Sequence, residues 1–161
     1  GYGLSDGKTS DTNILDMATT IYDFVSELSY VDQSRIYVYG YSLGTGAATY
    51  IASIRDVAGL ILIAPYSSIR DLYNTRLPIF NGILKRLVVQ DFESSLYAKE
   101  CRVKPLIIAS NNDQTIPISL TRNLISYFQV EPYSYIVDNE AHNEFMDNQN
   151  VIHRIVEYLN Q

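Results

Sequence analysis

Two short apolar runs constrain the fold of this chain more than any other feature. They are GLILIAP at residues 59–65 and PLIIAS at residues 105–110. Continuous apolar runs of this length are typical of parallel β-strands that are covered on both faces. Two weaker strand patterns accompany them, RIYVYG at residues 35–40 and YSYIV at residues 133–137. The sequence therefore predicts a sheet of at least four strands.

Apolar residues at helical spacing alternate with these strands. The first set follows the candidate capping residues Ser10 and Asp11 and comprises Ile14, Ala18, Ile21, Val25 and Leu28. Further helices are predicted over residues 44–54, over residues 117–129 and along an apolar stripe from Val151 to Leu159. Alternation of this kind indicates the α/β class, with a mostly parallel sheet and helices on both faces.

The chain of 161 residues is long enough for one domain with its own core, and no linker-like stretch divides it. We therefore expect a single domain over residues 1–161. Residues 66–104 depart from the alternation, because short helical pieces there are broken by Pro78 and Gly82. This insertion is a candidate lid or pocket wall. A connecting helix over the sheet edge fits the pattern equally well.

Charge and cysteine content exclude several classes of protein. The net charge is −6, and no cluster of Lys or Arg stands out, which argues against a nucleic-acid partner or a polybasic membrane patch. Cys101 is the single cysteine, so no internal disulfide is possible, and its apolar surroundings favour a buried residue over a nucleophile. No apolar stretch approaches the roughly 20 residues that span a bilayer.

The segment Gly40-Tyr41-Ser42-Leu43-Gly44 lies where a predicted strand becomes a predicted helix. Such a glycine-rich turn holds a phosphate in some folds and exposes a nucleophile in others. The Walker phosphate loop needs a lysine that is missing here, and the Gly-x-Gly-x-x-Gly fingerprint fails because Thr49 stands at its third glycine. Gly-x-Ser-x-Gly fits the nucleophile elbow instead, with small residues on both sides of a strained serine.

In such an elbow, Ser42 would lie at the carboxyl end of the sheet, and the N–H of Leu43 would face a developing oxyanion. A serine hydroxyl needs a positioned base. Of the two histidines, His153 lies on a polar helix face, whereas His142 follows the strand YSYIV in a loop. We therefore expect His142 to be the base.

A carboxylate should orient that imidazole. Asp113 lies just past the end of the buried strand PLIIAS, and the order Ser42, Asp113, His142 is that of the α/β-hydrolase triad. Asp91 and Asp138 are the rivals. Asp91 lies in the insertion and Asp138 is only four residues before His142, so Asp113 is preferred.

These segments resemble the α/β-hydrolase superfamily over essentially the whole chain. Within it they are most similar to the subgroup of protein depalmitoylases and of lysophospholipase-like or serine-aminopeptidase-like hydrolases. The matching segments are GYGLSDG, SRIYVYGYSLGTGAA, LIAPYSSIRDL, PLIIASNNDQTIP and EAHNEF. The resemblance implies that Ser42, Asp113 and His142 are catalytic, that Leu43 is one oxyanion donor and that Tyr41 lines the pocket. The chain departs mildly from the family pattern at residues 109–112 and at Ala141.

The resemblance also implies four earlier strands and a loop with the second oxyanion N–H, so the domain is expected to be N-terminally incomplete. Strand 35–40 would then be an exposed edge through which the chain self-associates. A single oxyanion donor would leave the activity feeble. The expected location is cytoplasmic, although an absent N-terminal part could carry a membrane anchor.

The favoured function is that of a serine hydrolase that cleaves a small-molecule ester or thioester through an acyl-enzyme. No metal or organic cofactor is expected. A non-catalytic binding module with the hydrolase fold and a serine peptidase are the alternatives.

Overall fold

The fold was analysed in a computed structural model, which describes Leu4, Asp6, Gly7, residues 9–76 and residues 92–161. Several predictions concern other residues. Most of the segment GYGLSDG, the helix breakers Pro78 and Gly82, and the rival carboxylate Asp91 lie outside the described residues. The insertion at 66–104 is therefore only partly described, and its role as a lid stays a prediction.

Four parallel strands form one sheet in the order β1-β2-β3-β4. Their bounds are β1 Tyr37–Tyr41, β2 Gly59–Ile63, β3 Leu106–Ser110 and β4 Tyr133–Val137. Tyr41 pairs with Ile63, and Ile63 pairs with Ile108, so the carboxyl ends of these strands lie side by side. The predicted fold class is confirmed.

Helices precede the first strand, connect successive strands and follow the last strand. Their bounds are α1 Asp11–Ser26, α2 Gly44–Ile54, α3 Ile69–Arg76, α4 Ser94–Ala98, α5 Ile118–Ile125 and α6 Gln149–Leu159. As predicted, Ser10 caps α1, because its hydroxyl accepts a hydrogen bond from the N–H of Asn13 at 3.1 Å. Helix α5 ends earlier than its apolar spacing predicts, and the short α4 was not predicted.

Two apolar clusters cover the two faces of the sheet, because successive strand residues point to opposite faces. Both central strands, β2 and β3, are buried along their whole length. One face packs against α6 through residues that include Ile61, Ile63, Ile108, Phe145 and Val151. The other packs against α2, α4 and α5 through residues that include Leu60, Leu62, Ile107, Ala48, Ala98 and Leu124.

Strand β1 and helix α1 are much more exposed than the central strands β2 and β3. Within the described part of the chain, β1 pairs with β2 alone and is an edge of the sheet. No residue of α1 is fully buried, and Ile21, one of the apolar residues at helical spacing that predict this helix, is 56% exposed. Tyr39 of β1 is likewise half exposed. Apolar surface is thus open along this edge, and self-association through it stays a prediction.

Candidate active site

Ser42 lies in the sharp turn between β1 and α2. Its φ is 51°, in the left-handed region that non-glycine residues rarely adopt. Two kinds of hydrogen bond hold this turn. The Ser42 N–H donates to the carbonyl of Ile63 at 2.9 Å, and the Ser42 carbonyl accepts from the N–H and the hydroxyl of Thr45. The serine is therefore fixed to the neighbouring strand and to the first turn of α2.

The glycines around Ser42 differ in what they allow. A side chain at Gly40 would bring its Cβ within 2.7 Å of the Gly44 carbonyl oxygen and of Thr45 Cα, so only glycine fits there. At Gly44, by contrast, an added Cβ meets no atom within 4 Å. The Gly-x-Ser-x-Gly pattern predicts that both glycines are needed for lack of bulk. The structure supports this for Gly40 and contradicts it for Gly44.

The imidazole of His142 lies beside the Ser42 hydroxyl. His142 follows β4 in a loop, and its Nε2 is 2.8 Å from Ser42 Oγ. Its Nδ1 is 2.7 Å from Oδ2 of Asp113. Because a carboxylate only accepts hydrogen bonds, Nδ1 carries the proton, and Nε2 is left to accept one from the serine. The structure thus brings the three predicted side chains into one hydrogen-bonded chain.

Asp113 is the most enclosed of the three groups. Its side chain is 1% exposed, against 14% for that of His142. The second carboxylate oxygen, Oδ1, accepts from the N–H groups of Thr115 and Ile116 at 2.7 and 2.9 Å. Both oxygens are therefore partnered, and the carboxylate is held in one orientation by the turn that follows β3.

The rival residues lie elsewhere. The Asp138 carboxylate accepts a hydrogen bond from the Asn111 side chain at 2.7 Å. His153 is 68% exposed and pairs with Glu157 on the same helix. Cys101 is buried as expected, and burial raises the pKa of its thiol to about 12, which keeps it protonated at neutral pH.

Leu43 and Tyr41 were predicted to form an oxyanion donor and a pocket wall. Leu43 precedes α2, and among the hydrogen bonds of the described residues none uses its N–H. The Tyr41 hydroxyl donates to the main-chain carbonyl of His142, a contact that a pocket-lining role does not require. Burial, the Asp113 charge and Tyr39 raise the pKa of the Tyr41 hydroxyl.

Tyr66 is a residue of this region that sequence reasoning missed. It is fully buried, and its hydroxyl donates to the Leu43 carbonyl at 3.1 Å. The same ring packs close to Gly46, where an added Cβ would lie 2.6 Å from the tyrosine oxygen. The only signal in the sequence is its position just after the apolar run that forms β2, where it follows Ala64 and Pro65.

In the described ranges 9–76 and 92–161, no group of three His, Cys, Asp or Glu side chains could hold a metal ion. Among the helices of the same ranges, none is both long and apolar enough to cross a bilayer.

No protein-family model matches the sequence. An uncharacterized protein of Mycobacterium tuberculosis (strain H37Rv) is 28% identical over 164 aligned residues, which cover all of this chain and 57% of that protein. The alpha/beta hydrolase domain-containing protein WAV2 of Arabidopsis thaliana is 38% identical over 86 residues, which cover 52% of this chain and 28% of WAV2. The chain thus spans little more than half the length of the first of these relatives.

A solved structure with the same fold is that of acetyl xylan esterase 1 from Thermoanaerobacterium sp. It superposes with a TM-score of 0.71 at 16% identity and covers 99% of this chain and 60% of the esterase. At this identity the likeness concerns the fold. Together with the named relatives it confirms the predicted resemblance, while the roles of Ser42, His142 and Asp113 stay predictions.

Proposed function

Given that this chain has the α/β-hydrolase fold, we propose that it is the catalytic part of a serine hydrolase that cleaves carboxylic esters or thioesters. Ser42 is the nucleophile, His142 the general base and acid, and Asp113 the group that orients the imidazole. One observation carries the proposal. The Ser42 hydroxyl, the His142 ring and the Asp113 carboxylate are joined by contacts of 2.8 and 2.7 Å at the carboxyl end of a parallel sheet.

The first half of the reaction forms an acyl-enzyme. Ser42 Oγ attacks the carbonyl carbon of the substrate, and its proton passes to Nε2 of His142. The imidazole is then positively charged and is stabilised by the Asp113 carboxylate beside Nδ1. The tetrahedral intermediate carries its negative charge on the former carbonyl oxygen, where the Leu43 N–H donates a hydrogen bond. Collapse expels an alcohol or thiol, which takes the proton from Nε2.

The second half releases the acid. A water molecule gives a proton to Nε2 as its oxygen attacks the acyl carbon, and a second tetrahedral intermediate forms on the same oxyanion donor. When it collapses, the bond to Ser42 Oγ breaks and the serine recovers its proton from His142. The enzyme returns to its starting state without a cofactor.

Esters and thioesters are favoured over peptides for a chemical reason. Alcohols and thiols leave more readily than amines, so the cleavage of an ester or thioester needs less stabilisation of the oxyanion than the cleavage of a peptide. Leu43 supplies one oxyanion donor among the described residues, and losing one donor of two lowers kcat by about 10²- to 10³-fold.

The proposal is tested by hydrolysis of p-nitrophenyl acyl esters and of an acyl thioester by the purified chain. We expect slow turnover with a burst of one p-nitrophenol per chain, because the acyl-enzyme forms before it is hydrolysed. Ser42→Ala should abolish both the burst and the turnover. Ser53→Ala is the matched control, since that serine lies in α2 and its hydroxyl donates to the Tyr50 carbonyl.

Other outcomes distinguish the alternatives. Cleavage of a peptide substrate but of no ester would favour a serine peptidase. Saturable binding of an ester without any burst would favour a binding module. Turnover that survives in Ser42→Ala would reject the assignment of the nucleophile.

A further inference from the structure

Tyr41 stands next to the proposed nucleophile and touches the proposed base. It is the last residue of β1, and its hydroxyl donates to the main-chain carbonyl of His142. Its ring also lies over the His142 ring, with centroids 5.5 Å apart and planes inclined at 31°. Two adjacent residues of one strand end, Tyr41 and Ser42, therefore contact the same histidine in two places.

The loop that carries His142 has few other links to the sheet. The loop residues 138–144 are exposed or half-buried. Hydrogen bonds within the loop join the Ala141 N–H to the Glu144 carboxylate at 2.9 Å and the Glu144 N–H to the Ala141 carbonyl at 3.0 Å. Two bonds to the loop that follows β3 join Asn112 to the Asn139 carbonyl at 3.1 Å and Asn111 to the Asp138 carboxylate at 2.7 Å. Among the described residues, the Tyr41 hydroxyl is thus the donor whose hydrogen bond ties the main chain of His142 to the sheet.

Tyr41 is well placed to act as a fixed point. Its main chain is paired with Ile63 of the fully buried strand β2. Its ring packs edge-on against Phe145, with centroids 6.3 Å apart, and Phe145 is fully buried. A hydroxyl that is held by a strand and by a buried ring defines a position more precisely than a loop residue can.

We propose that Tyr41 is a positioning residue, whose hydroxyl holds the main chain of His142 so that Nε2 stays within reach of Ser42 Oγ. This inference rests on the proposed function of Ser42 and His142. Since misplacing a catalytic group by about 1 Å costs up to roughly 10² in rate, a single hydrogen bond at this point has kinetic consequences.

The first test compares Tyr41→Phe with Tyr39→Phe. Both variants lose only a hydroxyl, and both residues lie in β1, but the Tyr39 hydroxyl contacts only the sulfur of Met146 at 3.8 Å. We expect Tyr41→Phe to lower the rate of labelling by a fluorophosphonate probe by about tenfold, while Tyr39→Phe labels at the wild-type rate. Equal rates for the two variants would overturn the inference.

A second readout follows the histidine directly and needs no activity. The proton on His142 Nδ1, held against Asp113, should give a low-field signal in the ¹H NMR spectrum of the wild-type chain. Asp113→Asn identifies this signal by removing it. In Tyr41→Phe we expect the signal to broaden through faster exchange with water, and in Tyr39→Phe to stay sharp. An unchanged signal in Tyr41→Phe contradicts a positioning role.

The two readouts separate the two proposals. If the wild-type chain is not labelled while the NMR signal responds to Tyr41→Phe, the hydrolase assignment fails and the positioning of His142 stands. If Tyr41→Phe does not fold, a measurement on the wild-type chain still tests the hydrogen bond from Tyr41 to His142. Its Tyr41 hydroxyl proton should exchange with water more slowly than that of Tyr39, and equally fast exchange would reject the bond.

Discussion

Two neighbouring strands of this sheet are each followed by a residue with nearly the same positive φ, but the two residues carry different side chains. Ser42 follows β1 with a φ of 51°, and Ala64 follows β2 with a φ of 50°. In both cases the N–H donates to a main-chain carbonyl of the next strand, from Ser42 to Ile63 at 2.9 Å and from Ala64 to Ile108 at 2.8 Å. The left-handed turn is therefore repeated at two adjacent strand ends.

The comparison shows that the strained turn alone does not make a catalytic site. Ala64 is almost fully buried and has no group that could react. What distinguishes Ser42 is a hydroxyl that contacts the His142 imidazole. A left-handed residue costs roughly 1–2 kcal/mol wherever it occurs. At the end of β2 this conformation directs the chain into Pro65 and Tyr66, whereas at the end of β1 it presents a proposed nucleophile.

The two strand ends also differ two residues earlier. Gly40 precedes the first turn and pairs with Leu62, which precedes the second. Helix α2 begins directly behind Ser42 and leaves no room for a side chain at Gly40, whereas Leu62 is fully buried on the face that α2 covers. The glycine is therefore required by the tight strand-to-helix connection and not by the left-handed turn.

The largest effect is expected when the hydroxyl is moved from one turn to the other. The double variant Ser42→Ala/Ala64→Ser keeps both turns but places the hydroxyl away from His142. We expect its rate of fluorophosphonate labelling to fall by roughly 10⁴-fold or more, as in Ser42→Ala alone. Recovery of labelling in the double variant would mean that the turn itself activates a serine.

The next largest effect concerns Asp113, whose carboxylate contacts the His142 imidazole beside the first turn. Asp113→Asn should lower the rate of ester hydrolysis by about 10²- to 10⁴-fold, because the amide no longer fixes the imidazole tautomer. Asp138→Asn is the matched control, since its carboxylate contacts Asn111. The assignment of Asp113 is wrong if the control variant loses more activity than Asp113→Asn.

Substitution of Gly40, the glycine before the first turn, should change the stability of the fold rather than the chemistry of the site. Gly40→Ala is expected to lower the free energy of unfolding by about 1–3 kcal/mol, because its Cβ meets main-chain atoms at 2.7 Å. Gly44→Ala, with open space around its Cβ, should change the same quantity by less than about 1 kcal/mol in either direction. Urea denaturation of both variants measures the difference, and equal values would contradict it.

The smallest effect tests whether the second turn supports the first. Tyr66 follows the turn at the end of β2, and its hydroxyl donates a hydrogen bond to the Leu43 carbonyl beside the first turn. Tyr66→Phe should lower the free energy of unfolding by about 1 kcal/mol and slow probe labelling a few-fold. A drop in stability with an unchanged labelling rate would limit Tyr66 to a structural role.

Much of this architecture was predictable from local sequence pattern. GLILIAP and PLIIAS indicate β2 and β3 because strands buried on both faces leave continuous apolar runs. The predicted helix over residues 44–54 coincides with α2. The predicted proximity of Ser42, Asp113 and His142 follows from parallel topology, which brings the ends of successive strands to one edge of the sheet.

Features that depend on tertiary contacts were not predictable. The exposure of Ile21 depends on what packs against α1, which its helical spacing does not reveal. The positive φ of Ala64 has no signal, because alanine is not a residue that favours it. The hydrogen bond from Tyr41 to His142 joins residues 101 positions apart, and neither residue type predicts the other as its partner.

The most direct test of the central claim is to map the fluorophosphonate adduct on the chain by peptide mass spectrometry. We expect one adduct, on the Ser42 hydroxyl, which disappears when His142 is replaced by Gln and which never forms on another serine. An adduct on a different residue, or labelling of Ser42 that does not depend on His142, would contradict it.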